Sequence, residues 1–162
     1  MRKTSEVCHR AQAGSRVNLH TATVTRAAGS NCYGTAMHRS RLSTLLIDVP
    51  GDLVPGAAAF WSAALGVPAN PVLGEEQFTS LPGALPGLVT AIQAVDDQPR
   101  YHLDIETDDV AAETARLVAL GAVELRQWLD CRILRAPGGH LLCVIPLHSD
   151  PGTFQRLARV WD

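Results

Sequence analysis

The chain sets an imidazole and a carboxylate two residues apart, His102 and Asp104, in the run Tyr101-His102-Leu103-Asp104-Ile105. Side chains alternate along a strand, so the two share a face, and Glu106 joins them if the strand stays regular. A carboxylate beside an imidazole orients it and raises its pKa, which serves a general base or a ligand-anchoring hydrogen bond. A structural reading stands beside this one: Asp104 pairs with Arg100, Arg132 or Arg135, and His102 is a hydrogen-bonded interior residue. Asp108-Asp109 also has the composition of paired acid/base carboxylates, yet helix capping explains it more simply.

The elements that must position these residues come in two similar halves. The first begins Thr44-Leu45-Leu46-Ile47-Asp48, turns at Pro50-Gly51-Asp52, and carries a helical run from about Pro55 that closes at Leu65-Gly66. Within it Ala57, Phe60, Trp61, Ala64 and Leu65 recur at helical spacing, so Phe60 and Trp61 are expected to be buried against a sheet. Strands around Asn70–Leu73, Gln77–Leu81 and Leu88–Val95 complete that half. The second half repeats the order: the strand Tyr101–Glu106, a helix capped by Thr107, Asp108 or Asp109 with Val110, Thr114, Leu117 and Val118 as its stripe, then Leu120-Gly121. Strands follow at about Val123–Trp128, Cys131–Ala136 and His140–Pro146, the last two joined by Pro137-Gly138-Gly139. Asp150-Pro151 opens a terminal helix, giving residues 149–162 as a helical end carrying Phe154, Leu157, Ala158 and Trp161. Two halves facing each other make a cleft, the natural place for a small-molecule ligand.

Composition narrows the function classes. With 162 residues, 46% hydrophobic and 19% charged, the chain supports one sizeable core. Residues 1–40 carry six Lys/Arg against one acid, and residues 41–162 eight against fifteen. The acidic body has no phosphate-binding footprint, which argues against a nucleic-acid partner. No apolar run approaches the ~20 residues that cross a membrane. Residues 1–40 read as a disordered basic tail with some transit-peptide character, and Met37 is an alternative start. Cysteines at 8, 32, 131 and 143 show neither metal-motif nor secreted-framework spacing, so a cytoplasmic setting is expected. There is no phosphate-binding loop, nucleophile elbow or dinucleotide-binding glycine motif.

Taken in order, Ile47-Asp48-Val49-Pro50, Phe60-Trp61, Leu65-Gly66, His102-Leu103-Asp104-Ile105 with Asp109, and Leu134-Arg135-Ala136-Pro137-Gly138-Gly139-His140 running into Cys143-Val144 resemble the vicinal oxygen chelate superfamily. The likeness is to its bacterial glyoxalase-like and bleomycin-resistance-like members, over about Leu42 to Leu147. It implies an α+β fold: two tandem βαβββ modules, residues 42–96 and 100–147 of a domain at 41–148, curving into a partly open barrel of the glyoxalase, bleomycin resistance and dihydroxybiphenyl dioxygenase type. By position, the metal ligands of such proteins fall at Thr44, near Gln93, at His102 and at Cys143.

Imidazole and carboxylate hold a divalent ion while leaving room for substrate oxygens, whereas a Thr hydroxyl and a neutral amide are poor donors. His102 is the strong match, Cys143 is most simply a small core residue, and His140 lies on the opposite strand face from Cys143. No cofactor is therefore expected, with a divalent metal on His102 as the alternative. The pocket is expected to include Thr44, Gln93, His102, Asp104, Trp128 and Cys143, with Trp128 equally readable as core, and His102 and Asp104 are the candidates for catalysis. The resemblance implies a small-molecule binder or a metal-dependent lyase, isomerase or dioxygenase, and a homodimer that covers open sheet edges.

Overall fold

The computed structural model describes residues 37–162. The expected tail lies outside the described residues up to residue 36, while residues 38–40 already belong to the first strand. That strand, β1, runs His38–Pro50. It starts earlier than the period-two pattern suggested because His38–Ser40 find a partner at the far end of the chain.

A short 3-10 turn at Gly51–Leu53 leads into α1, Val54–Leu65. Proline in its first turn lacks only an N–H that a helix start leaves unsatisfied. Gly66 at φ 67° closes it, with backbone N–H groups of Gly66 and Val67 reaching Ser62 O. β2 (Asn70–Pro71), β3 (Phe78–Ser80) and β4 (Val89–Val95) complete the first module. The second repeats it: β5 (Arg100–Thr107), α2 (Val110–Ala119), β6 (Val123–Trp128), β7 (Cys131–Arg135) and β8 (Leu141–Pro146). Asp109 caps α2, accepting from Ala112 N, and Gly121 at φ 101° ends its turn as Gly66 ends α1.

Among the described residues the strands form one open mixed sheet in the order β2-β3-β4-β1-β5-β8-β7-β6. The order is palindromic about the antiparallel β1–β5 pair, and within each module the first and last strands run parallel, β1 with β4 and β5 with β8. The two βαβββ modules thus meet strand to strand at the centre of the sheet. Both helices cover one face. Ile47, Val49, Leu81 and Ile92 pack under α1 against Val54, Ala57, Ala58 and Trp61, and Ala122, Leu134 and Val144 pack under α2 against Val110 and Leu117. Alternation sends Thr44, Leu46, Asp48, Gln93, His102, Asp104 and Cys143 to the opposite, inner face.

Three expectations change. Phe60 is not buried: it is 62% exposed and stands edge-to-face with Trp61, their ring centres 5.2 Å apart, because the sheet-facing side of α1 is met by smaller residues together with Trp61. Val118 points outward from the α2 stripe. The expected terminal helix stops at Leu157: α3 spans Pro151–Leu157, and Arg159–Trp161 forms a strand, β9, paired antiparallel with His38–Ser40. Backbone pairing there, with Trp161 Nε1 donating to Ser40 Oγ at 2.7 Å, prevails over continued helical spacing. Leu134→Ala, beneath α2 with no exposure, should cost about 3 kcal/mol in urea unfolding, while Phe60→Ala should cost about 1 kcal/mol or less. Equal losses would contradict this placement of the two side chains.

Candidate functional site

The inner face carries polar residues where a sheet core is ordinarily apolar. Asp48, Gln93, His102, Asp104, Glu106 and Cys143 are each at most 2% exposed, and Thr44 is 6% exposed. Their positions follow from three registers. Across the β1–β5 seam Thr44 faces Asp104, Leu46 faces His102 and Asp48 faces Arg100; the flanking parallel pairs set Asp48 beside Gln93 and Asp104 beside Cys143. Matching those two parallel pairs makes Asp48 the counterpart of Asp104 and Gln93 that of Cys143. On that match Leu46, two residues before Asp48, is the counterpart of His102, and Thr44 lies beside Asp104.

His102 stands between the two aspartates. Its Nδ1 lies 2.9 Å from Asp48 Oδ2, which also accepts from Arg100 Nε at 3.0 Å. A carboxylate flanked by a guanidinium accepts, so Nδ1 donates, and Nε2 is left to point the other way. There it lies 3.5 Å from Asp104 Oδ1. Burial pushes Asp104 up from 3.8 to about 6, partly offset by the neighbouring imidazoles of His102 and His148 and by a hydrogen bond from the Cys143 thiol. Its carboxyl therefore changes protonation close to neutral pH.

Glu106, two residues further along β5, is different in kind. It accepts from the backbone N–H groups of His148 (3.1 Å) and Ser149 (2.9 Å), from Ser149 Oγ (2.6 Å) and from Arg41 Nη1 (3.1 Å). Burial would raise its pKa, but donation from His148 and Ser149 outweighs it and holds the group at about 2. Glu106 fastens the segment after β8 to β5.

The expected residues divide accordingly. His102, Asp104 and Cys143 come together, with ligand atoms all within 4.8 Å of one another. Thr44 and Gln93 share their face, on β1 and β4. Trp128 ends β6, paired with Cys131 and 38% exposed, three places from β5 in the strand order. Neither Arg132 nor Arg135 pairs with Asp104; Arg132 meets Glu124, and Arg100 meets Asp48 and Asp97. The member of this cluster that sequence reasoning missed is Asp48, read there only as part of a motif. Its signal was a lone carboxylate within Leu45-Leu46-Ile47-Asp48-Val49, an even number of residues from Thr44.

The three clustered donors bear on a metal. Nitrogen, carboxylate oxygen and sulfur are donor types that zinc accepts, and Asp48 on the far ring nitrogen is the kind of carboxylate that orients a ligating imidazole. The resemblance implied ligand positions at Thr44, near Gln93, at His102 and at Cys143; of these His102 and Cys143 cluster, and Asp104 brings the clustered donors to three. The set fits a divalent ion of the zinc type better than a hard oxygen-seeking ion.

Residues 47–145 match the family described as glyoxalase-like domain. Among solved structures the chain is similar to methylmalonyl-CoA epimerase from Mycobacterium tuberculosis, with 18% identity over 67% of this chain and 88% of that one, TM-score 0.45. A hypothetical protein from Bacillus halodurans is 11% identical over 68% and 96%, TM-score 0.48. A mutant 4-hydroxymandelate synthase from Streptomyces coelicolor is 15% identical over 74% of this chain and 53% of that one, TM-score 0.48. No curated protein matches.

Opposite pH dependences follow from the two carboxylates. Between pH 3.8 and about 6 folded Asp104 holds a proton that the unfolded chain releases, so stability falls as pH rises through that window and stays lower above it. Metal-free Asp104→Asn should therefore be more stable than the parent near neutral pH by up to about 3 kcal/mol, with most of the difference gone near pH 4. Glu106 contributes stability above its ordinary 4.5 that is lost as pH falls toward 2, so Glu106→Gln should destabilise at neutral pH by about 3 kcal/mol. Urea midpoints against pH test both, and a parent curve parallel to that of Asp104→Asn would contradict the first.

Proposed function

Because the chain belongs to the glyoxalase-like domain family, we propose that it binds a small organic molecule against the inner face of the sheet, where His102 and Asp104 meet the polar atoms of that ligand. The supporting observation is the buried Asp48–His102–Asp104 arrangement, in which the ring nitrogen Nε2 lies beside a carboxyl that titrates near neutrality. Such a pair can hold a proton at Nε2 or at Asp104 and pass it to or from a ligand atom, as general acid/base work requires. Asp48 and Arg100 hold the ring in place for it. Binding in this reading does not depend on a metal.

The clustered donors favour one second reading, a metal-dependent lyase, isomerase or dioxygenase of the vicinal oxygen chelate type with His102, Asp104 and Cys143 as ligands. A divalent ion bound there would polarise a carbonyl or diol oxygen of the substrate. The chain's own part would be to hold the imidazole tautomer through Asp48 and to keep water from a site whose residues are almost fully buried.

A homodimer belongs to the same proposal: the sheet is open, β2 and β6 are its edges, and β6 exposes Val123, Leu125 and Trp128. No helix among the described residues is long and apolar enough to cross a membrane. A cytoplasmic setting is the proposal that suits the cysteine spacing best.

Elemental analysis of protein purified without chelators separates the two readings. The expected result is no stoichiometric zinc, nickel, manganese or iron, together with small-molecule binding that weakens by about tenfold or more in His102→Ala. One ion per chain, lost in His102→Ala, would replace the metal-independent reading with the second.

A further inference from the structure

Among the described residues, the helix-bearing face of the sheet has an uncovered strip at its centre. Ile47, Val49, Leu134 and Val144 on this face are at most 9% exposed beneath α1 and α2, yet Leu42 and Leu103, on the two central strands, are each 39% exposed. They lie in a cavity of about 550 Å³ between α2, the loop before β4 and the chain's C-terminal end. Leu42, Leu103, Ile105 and Trp161 give it an apolar lining, and Arg116 and Arg159 stand among them. Alternation turns Leu42, Leu103 and Ile105 to the opposite face from His102, and Arg41, the register partner of Glu106, closes the cavity at the strand edge, while His102, Asp104 and Cys143 do not line it.

Most of the charges here are compensated. Arg116 donates to Glu113 through Nε and Nη2 at 2.8 and 2.7 Å, with its guanidinium carbon 3.8 Å from the centre of the Trp161 ring. His38 Nε2 lies 2.8 Å from Glu113 Oε2, and Arg41 is held by Glu106 and by the carbonyl of Gly87. Arg159 has no hydrogen-bond or ion-pair partner among the described residues. One uncompensated cation beside an apolar trough asks for one anionic head on an apolar body. The volume lies in the range of small-molecule sites.

From this geometry we infer a second ligand site for an amphipathic monoanion, a carboxylate on an alkyl or aryl body. The carboxylate sits at Arg159, and the body covers Leu42, Leu103 and Ile105 and reaches the Trp161 ring. Arg116, fixed by Glu113 and stacked on Trp161, forms a rigid wall. The occupant is a small molecule because α2, the loop before β4 and the chain's C-terminal end all line the trough and its volume is that of a small-molecule site, whereas a second copy of the chain needs a broader surface.

Calorimetric titration of the full chain with octanoate tests this, with octanol as the uncharged control. The expected result is saturable one-to-one binding, at least about tenfold weaker for octanol and for Arg159→Ala, and largely restored in Arg159→Lys. Leu103→Glu, at a half-exposed position where folding can be confirmed by thermal melting, should abolish it, and His102→Ala should leave it unchanged. Absence of saturable binding, equal affinity for octanol, or loss in His102→Ala with retention in Arg159→Ala would overturn the proposal. So would a dimer, seen by light scattering, that dissociates in Leu103→Glu while octanoate fails to bind, because a second copy would then be the occupant.

Discussion

The antiparallel register of β1 on β5 is the constraint from which the site follows. It joins the two modules at the middle of the sheet, and it sets Thr44 against Asp104, Leu46 against His102 and Asp48 against Arg100. A slip of one residue would send Asp48 to the helix-bearing face and leave the imidazole without its anchor. The β-bulge between Leu42 and Thr44 marks where this register changes. On one side of it Leu42 faces the uncovered outer strip, and on the other Thr44 begins the polar inner row.

The repeat also explains why His102 has a carboxylate on each side. Asp48 and Asp104 occupy matching places in the two modules, each beside the last strand of its own module. The seam turns one module against the other, so matching positions approach the same ring from opposite directions. Their surroundings then set them apart. Asp48 lies against the guanidinium of Arg100, whereas burial dominates at Asp104 and raises it to about 6. One aspartate anchors the ring at Nδ1, and the other lies 3.5 Å from its Nε2.

Much of this was legible in the sequence because it rests on local signals. Strand alternation placed His102 and Asp104 on one face, Leu-Gly closed both helices, and the Pro-Gly-Gly turn joined β7 to β8. What stayed hidden depended on register, which no local pattern encodes. The partnership of Asp48 with His102 spans 54 residues, and the capture of the chain's end by His38–Ser40 spans the whole domain. Phe60 misled for a related reason: helical spacing shows that a stripe exists, but not how far around the helix the sheet reaches.

Buried polar groups cost stability unless satisfied, and the inner face spends them unevenly. At Glu106 both carboxylate oxygens are engaged, by Arg41, His148 and Ser149, as a structural anchor requires. Further along the same face Asp48 Oδ1 and Gln93 Oε1, facing each other across β1 and β4, have no hydrogen-bond partner among the described residues. A fold selected for stability alone would fill those places with apolar side chains, as it does at Leu46, Phe78 and Ala91 nearby. Acceptors left unsatisfied beside an oriented imidazole are places where a ligand's donors gain most by binding, because water is excluded and the desolvation of the protein groups has already occurred in folding. The same row of residues that weakens the core is therefore the row whose acceptors the proposed ligand would satisfy.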